Sequence, residues 1–472
     1  MSSLPTSTPA AQGVDAAGIQ AFLDALEAEP HLEPHSLMLL RHGHVVASGW
    51  WAPYGPDRPH LLYSLSKSFT ATAAGFAVAE GLIRLDDPVI SYFPEFEADI
   101  TDPRSRTMLV RHVASMASGH VEETLDRARA QDRDELVRGF LLVPPDRDPG
   151  TVFAYNQPAT YTLAAIVQRV TGQKLTEYLR PRLFEPLGIG EVAWIADRSG
   201  RELGFSGLHA TTDAVARLGL LYLRGGEWEG ERLLPESWVA EATRVQIAHE
   251  APPVGDWADW QQGYGFQFWI ARHGYRGDGA YGQFCVVLPE QDVVLAITSE
   301  TLDMQKVLDL VWEHLLPAFG TGPLPGDGAA DAALADRLAR LALPPAEGKT
   351  APDGSTGVFT PSGGTCADQP TLTAIEVDPG GRVTLVDDGD RLELGLAAGE
   401  SGWTVVDEPV PVAVSGGWTD AETLALDLTF LETPHHLLVT CSLGDRTFTA
   451  RWRTQPLHGG PLLRRMRAPR SG

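Results

Sequence analysis

Lysine is nearly missing from this chain. Of 37 basic residues only four are lysines, Lys67, Lys174, Lys306 and Lys349, so wherever charge alone is needed arginine supplies it. Positive charge as a whole is also short, with 62 acidic residues and a net charge of −25. A surface of that sign repels phosphate backbones and anionic lipid, and the only basic cluster is the short LLRRMRAPR tail, so neither nucleic acid nor a membrane surface is an expected partner. Cysteine is scarce: Cys285, Cys366 and Cys441 are odd in number and widely spaced, which fits neither a disulfide framework nor a zinc ligand set, and they are expected as buried thiols. No window approaches 18 uninterrupted apolar residues, which excludes a bilayer-spanning helix. The opening MSSLPTSTPAAQGVDAAG has no basic stretch followed by an apolar segment, so a cytoplasmic location is expected.

What is present is the balance of a soluble globular protein, 43% apolar and 21% charged, at a length of 472 residues that suggests two domains. Asp15 is placed to cap a helix carrying Ile19, Phe22, Leu23 and Leu26 at helical spacing. SLMLLRHGHVVASGWW then predicts a hairpin turning at Gly43. Helices are predicted at 64–83 and near 110–118, 158–171, 174–183, 211–224 and 301–316. Strands are predicted in YGFQFWIAR, GQFCVVLPE and DVVLAITS. A hairpin, a long helical insertion and consecutive strands imply an α+β fold, an antiparallel sheet flanked by helices. After Phe319 the chain turns to GTGPLPGDGAAD, a short Ala-rich helix and PPAEGKTAPDGSTG, the chemistry of a linker. Beyond about residue 355, segments such as RVTLVDDGDRLELGLA and HLLVTCSLGDRTFTARWR predict only short strands and turns. The expected organisation is a first domain over 1–325, a short helix and linker over 326–354, and an all-β domain over 355–472 without a catalytic motif.

One of the four lysines lies in YSLSKSFTATAAGFAVAEGL. With Ser64 opening a helix, Lys67 falls one turn later on the same face, within reach of the hydroxyl. A serine hydroxyl is a weak nucleophile until a neighbour takes its proton. Burial lowers the pKa of a lysine and makes it such a base, whereas arginine stays charged. Arginine can replace lysine for charge, but not for a titratable amine.

A second stretch, PGTVFAYNQPATYTLAAIVQRVTG, follows in the order needed. Together with the first it resembles the serine hydrolases of the class C β-lactamase and penicillin-binding-protein type, whose pattern is S-x-x-K, then Y-x-N after a P-G-T turn, then K-T-G or H-x-G on a strand. MLVRHVASMASGH and HATTDAVARLGLLYLRGGEWEGERLL resemble the segments between those motifs, and the likeness runs over about residues 10–318. It implies a serine hydrolase of the β-lactamase/transpeptidase-like fold, with Ser64 acylated, Lys67 as base and Tyr155 as a proton shuttle whose pKa nearby positive charge lowers. Gln157 stands where the family has asparagine. In YRGDGAYGQFCVVLPE the best match to the third motif is Gly277, Asp278, Gly279 and Ala280, which implies an oxyanion hole from the Ser64 and Ala280 backbone N–H groups. Gly277 replaces the family's Lys or His, so a substrate carboxylate loses its cation unless Arg276 takes that place. The all-β region resembles the lipocalin-like appendages of some relatives.

The expectation is therefore an acyl-enzyme hydrolase for an ester or amide in a small-molecule or peptide substrate, with weak β-lactamase activity at most. A transferase or cyclase on the same site, or a non-hydrolysing penicillin-binding-type receptor, are the alternatives. No cofactor is needed. His31, His35, His42 and His44 do not form a ligand pattern, so no metal is implied. His120 is expected at the cleft or the surface, and the class A type of additional glutamate base has no matching segment. The oligomeric state is not legible.

Overall fold

The computed structural model describes residues 3–249, 257–325, 328–349, 351–352, 354–395 and 402–470. Of the stretches singled out above, residues 1–2, 326–327, 350, 353 and 396–397 lie outside them. A six-stranded antiparallel sheet runs in the order His44–Trp50, Leu32–Arg41, Val293–Thr301, Gln283–Leu288, Tyr275–Gly279 and Trp269–Ile270. Side chains alternate across a strand. Leu37 and Leu39 accordingly enter one core with Phe284 and Val286, while Met38 and Leu40 enter the other with Cys285 and Val287. Helices cover both faces, which is why the central strands Leu32–Arg41, Gln283–Leu288 and Val293–Thr301 are buried along nearly their whole length. Asp15 caps the helix Ala16–Ala28 by accepting from the Ala17 N–H at 2.9 Å.

Several elements are shorter than their sequence periodicity predicts, and left-handed backbone explains three of them. The helix expected from residue 64 starts at Ser66, because Tyr63 at φ 48° leaves Tyr63–Leu65 as a separate tight turn. Met116 at φ 58° follows the helix Val110–Ala114. Gln267 at φ 61° cuts the strand expected in YGFQFWIAR down to Trp269–Ile270, and its buried amide instead bridges Thr160 Oγ1 and the Ala114 carbonyl. The helix expected from residue 301 begins at Met304, because residues to Thr301 are held in the sheet.

Beyond the first sheet, nine strands form a nearly closed, barrel-like sheet around their own core of Phe359, Leu385, Leu428 and neighbours. All pairs are antiparallel except Gly357–Pro361 with Thr447–Trp452. All three cysteines are buried. The intervening segment does not hang free. Its helix Gly328–Leu338 ion-pairs through Arg337 to Asp24 and Glu27, the Leu343 N–H donates to the Ala52 carbonyl, and Lys349 pairs with Trp418 on the barrel. Ala413 and Leu431 of the barrel region enter the same core as Leu37 and Trp51.

Candidate active site

The helix Ser66–Ala79 is built from small residues and is buried around its circumference from Ser66 to Ala77. Gly75 is required there, because a Cβ would lie 2.5 Å from Trp238. Ser64 sits in the turn just before it and is half-buried. Lys67, only 1% exposed, donates from Nζ to Ser64 Oγ at 3.0 Å, to Gln157 Oε1 at 2.7 Å and to the Phe205 carbonyl at 2.8 Å. Burial pulls its pKa down to about 7 against the opposing charges of Glu123 and Asp278. Near neutral pH a large fraction of this amine is therefore free to accept a proton.

Tyr155 completes the group. Its ring stacks on Trp269 at 5.2 Å and meets Tyr264 edge-on at 6.1 Å, and its phenol lies close enough to Ser64 for the two side chains to interact. Lys67 Nζ lies over the ring face, 4.7 Å from the centroid. Burial, with the nearby Asp278 charge, pushes the phenol above its ordinary range, the opposite of the lowering expected from the sequence. Tyr155 is thus held as a neutral phenol.

Asn156 is not part of this group. It is buried, and its Oδ1 accepts from the Thr124 backbone and hydroxyl at 3.2 and 2.9 Å, which leaves Gln157, at the start of the helix Gln157–Thr171, facing Lys67.

The strand Tyr275–Gly279 lies against the turn that carries Ser64. A Cβ on Gly279 would come 2.0 Å from the Leu62 carbonyl oxygen, and one on Gly277 2.4 Å from Ser68 Oγ and 2.5 Å from Leu65. Those approaches leave no room for the Lys or His that the resemblance implies at 277. They also bring Ala280, packed with Leu61, Tyr63 and Tyr281, beside the turn that carries Ser64. Asp278, 6% exposed, pairs with Arg276 at 3.0 Å. Arg276 has no exposed surface: it donates to the Asp259 carbonyl at 2.9 Å and lies over Trp260 at 4.2 Å. It therefore does not present the cleft with the cation that the sequence suggested as a substitute.

Sequence reasoning missed Glu123, Phe205 and every contact from the barrel. Glu123 accepts from the N–H groups of Thr124, Leu125 and Gln157 at 2.9 to 3.2 Å, so its oxygens are engaged in fixing the Gln157 backbone. His120 is buried and bonded to Ser118 and the Val143 carbonyl, a core histidine rather than a cleft or surface one. Glu33, His35 and His436 bring ligand-type atoms within 4.8 Å of one another. Burial opposes a charge on His436, but Glu33 and Asp427 prevail and raise its pKa to about 10, and Arg453 also engages Glu33. A charged imidazolium lies between the two carboxylates there, which makes the cluster an ion-pair network. A cleft of about 1240 Å³ lined by Glu33, Trp51, Glu300 and Arg453 opens near this network and not on Ser64.

Comparison with known proteins bears on family and fold. A family model described as Beta-lactamase matches residues 19–319. The 6-aminohexanoate-dimer hydrolase of Paenarthrobacter ureafaciens is 29% identical over 306 residues, 60% of this chain and 78% of that protein. Esterase EstB of Burkholderia gladioli is 28% identical over 215 residues, 40% of this chain and 55% of that one. The octameric penicillin-binding protein homologue of Pyrococcus abyssi superposes with a TM-score of 0.50 at 17% identity, over 90% of this chain and 98% of its own, a likeness of fold.

Proposed function

The chain belongs to the Beta-lactamase family, and from that premise we propose that it is a serine hydrolase that cleaves an ester or amide through an acyl-enzyme on Ser64. The observation that carries this reading is the buried Lys67 amine 3.0 Å from the Ser64 hydroxyl. The neutral amine takes the hydroxyl proton and becomes an ammonium held by the Phe205 carbonyl and Gln157 Oε1. Ser64 Oγ forms a bond to the substrate carbonyl carbon, and the carbonyl electron pair moves onto oxygen. The backbone N–H groups of Ser64 and Ala280 stabilise that oxyanion, a contribution worth on the order of a hundredfold or more in rate. As the intermediate collapses, the bond to the leaving oxygen or nitrogen breaks and Tyr155 gives that atom its proton. The Lys67 ammonium returns a proton to Tyr155, which leaves the amine neutral for activating the deacylating water.

The substrate class follows from charge. With glycine at 277 and Arg276 sealed, the third motif offers, among the described residues, no cation for a substrate carboxylate. That favours neutral esters and amides over penicillins, and the name of one relative, an esterase, supports the ester part of the reading. Intact-mass measurement after exposure to a fluorophosphonate, with p-nitrophenyl acetate and penicillin turnover in parallel, tests the reading. A single adduct that Ser64→Ala abolishes, with ester turnover exceeding penicillin turnover, is expected. An unlabelled protein, or an adduct that survives in Ser64→Ala, contradicts it.

A further inference from the structure

Two tyrosines hold left-handed backbone on either side of the reacting centre. Tyr63, immediately before Ser64, has φ 48°, and Tyr281, immediately after Ala280, has φ 70°. Bulky L-residues stay in that region only where the surroundings hold them. Here much of the holding comes from the C-terminal barrel region. The Tyr63 hydroxyl meets His435 Nε2 at 2.5 Å, and the Tyr281 hydroxyl donates to the Gln455 carbonyl. The two rings pack edge-on at 5.2 Å, and each meets the His435 ring edge-on as well. His458 stacks on Tyr63 and lies 2.7 Å from Ser206 Oγ, beside the Phe205 carbonyl that receives Lys67.

The direction of the hydrogen bonds is determined from its far end. With Glu300 ionised, Thr454 Oγ1 donates to Glu300 Oε1 at 2.6 Å and accepts from His435 Nδ1 at 3.0 Å. His435 then carries its proton on Nδ1, and Nε2 is an acceptor for the Tyr63 hydroxyl. The chain crosses from the first sheet to the barrel region and back, ending one residue from Ser64.

We propose that the barrel region completes the catalytic site, with His435, His458 and the Gln455 carbonyl acting as positioning groups that hold Tyr63 and Tyr281 in left-handed backbone and so aim the Ser64 and Ala280 N–H groups. The inference rests on the hydrolase reading above and gives chemical work to a region in which no catalytic motif is legible. A misplacement of about 1 Å costs on the order of a hundredfold in rate.

The test compares full-length wild type with Tyr63→Phe, His435→Ala and His435→Gln, using p-nitrophenyl acetate turnover and fluorophosphonate labelling. Tyr63→Phe and His435→Ala are expected to lose roughly tenfold to a hundredfold in kcat with KM within about twofold. The acid limb of the pH profile should not move, because Lys67 is untouched. His435→Gln, whose amide oxygen can accept from Tyr63, is expected to recover at least half of the loss on a logarithmic scale. Tyr63→Phe keeps the ring packing and carries the test if His435→Ala fails to fold. A Tyr63→Phe enzyme with kcat within twofold of wild type overturns the proposal, as does a folded His435→Ala with no loss or a His435→Gln no better than alanine. If wild type itself is never labelled, the hydrolase reading has failed; normal labelling and turnover in every variant defeats the positioning role alone.

Discussion

Lys67 and Gln157 share a 2.7 Å hydrogen bond in which the ammonium donates and the amide oxygen accepts. That contact is neutral at the acceptor, which is part of what lets burial keep the Lys67 pKa low. Gln157→Glu would place a carboxylate at the same distance and favour the charged amine. The expected result is an acid limb of kcat/KM that moves up by at least one pH unit, with about a tenfold loss at pH 7. A pH-rate profile of the variant checks it, and an unmoved limb would remove Lys67 as the titrating base.

Glycine at 277 and 279 is a packing requirement set by the nucleophile turn. Gly279→Ala brings a Cβ against backbone, the Leu62 carbonyl, so the strand must retreat and the proposed oxyanion hole with it. Gly277→His restores the family residue in a space already filled by Ser68 and Leu65. Each should lower stability by about 1–3 kcal/mol or more, and neither should gain penicillin turnover. Thermal melts and a penicillin assay decide the point; a stable Gly277→His with new β-lactamase activity would show that the site has room.

His436 joins the barrel to the first sheet through Glu33 at 2.7 Å while Asp427 holds its other nitrogen at 2.8 Å. Its folded pKa, raised to about 10, exceeds the unfolded value of about 6.5. The stabilisation is therefore complete below about pH 6.5 and is lost as pH rises through 10. Lys67, with a lowered pKa, contributes in the opposite sense, so the informative quantity is the difference between wild type and His436→Gln. That difference should be about 3 kcal/mol or more at pH 6 and shrink towards pH 10 in denaturant titrations. A difference independent of pH would contradict a charged His436.

What the sequence makes legible is what lies close along the chain or in a repeating pattern. Ser64 and Lys67 are one helical turn apart, and the alternating apolar strands and buried thiols follow from composition and period. Tyr155 and Gln157 become legible only through the order of motifs, since nothing local separates a catalytic tyrosine from a core one. The Phe205 carbonyl lies 138 residues from Lys67 and His435 lies 372 from Tyr63, and no periodicity reports such contacts. The left-handed backbone at Tyr63, Met116 and Gln267 is hidden for a related reason, because tertiary contacts rather than residue type impose it. The third motif offers Arg276 as a replacement cation for the cleft, but its neighbours Asp259, Trp260 and Asp278 decide where it goes.

The most direct test of the account is the rate of Ser64 modification by a fluorophosphonate between pH 5 and 9, in wild type and in Lys67→Arg. The predicted wild-type rate falls about tenfold per pH unit below a break near 7, and Lys67→Arg, folded but unable to release its proton, reacts at least a hundredfold more slowly with no break near 7. A wild-type rate indifferent to pH across that break, or a Lys67→Arg enzyme that reacts as fast as wild type, would contradict the role of the buried amine.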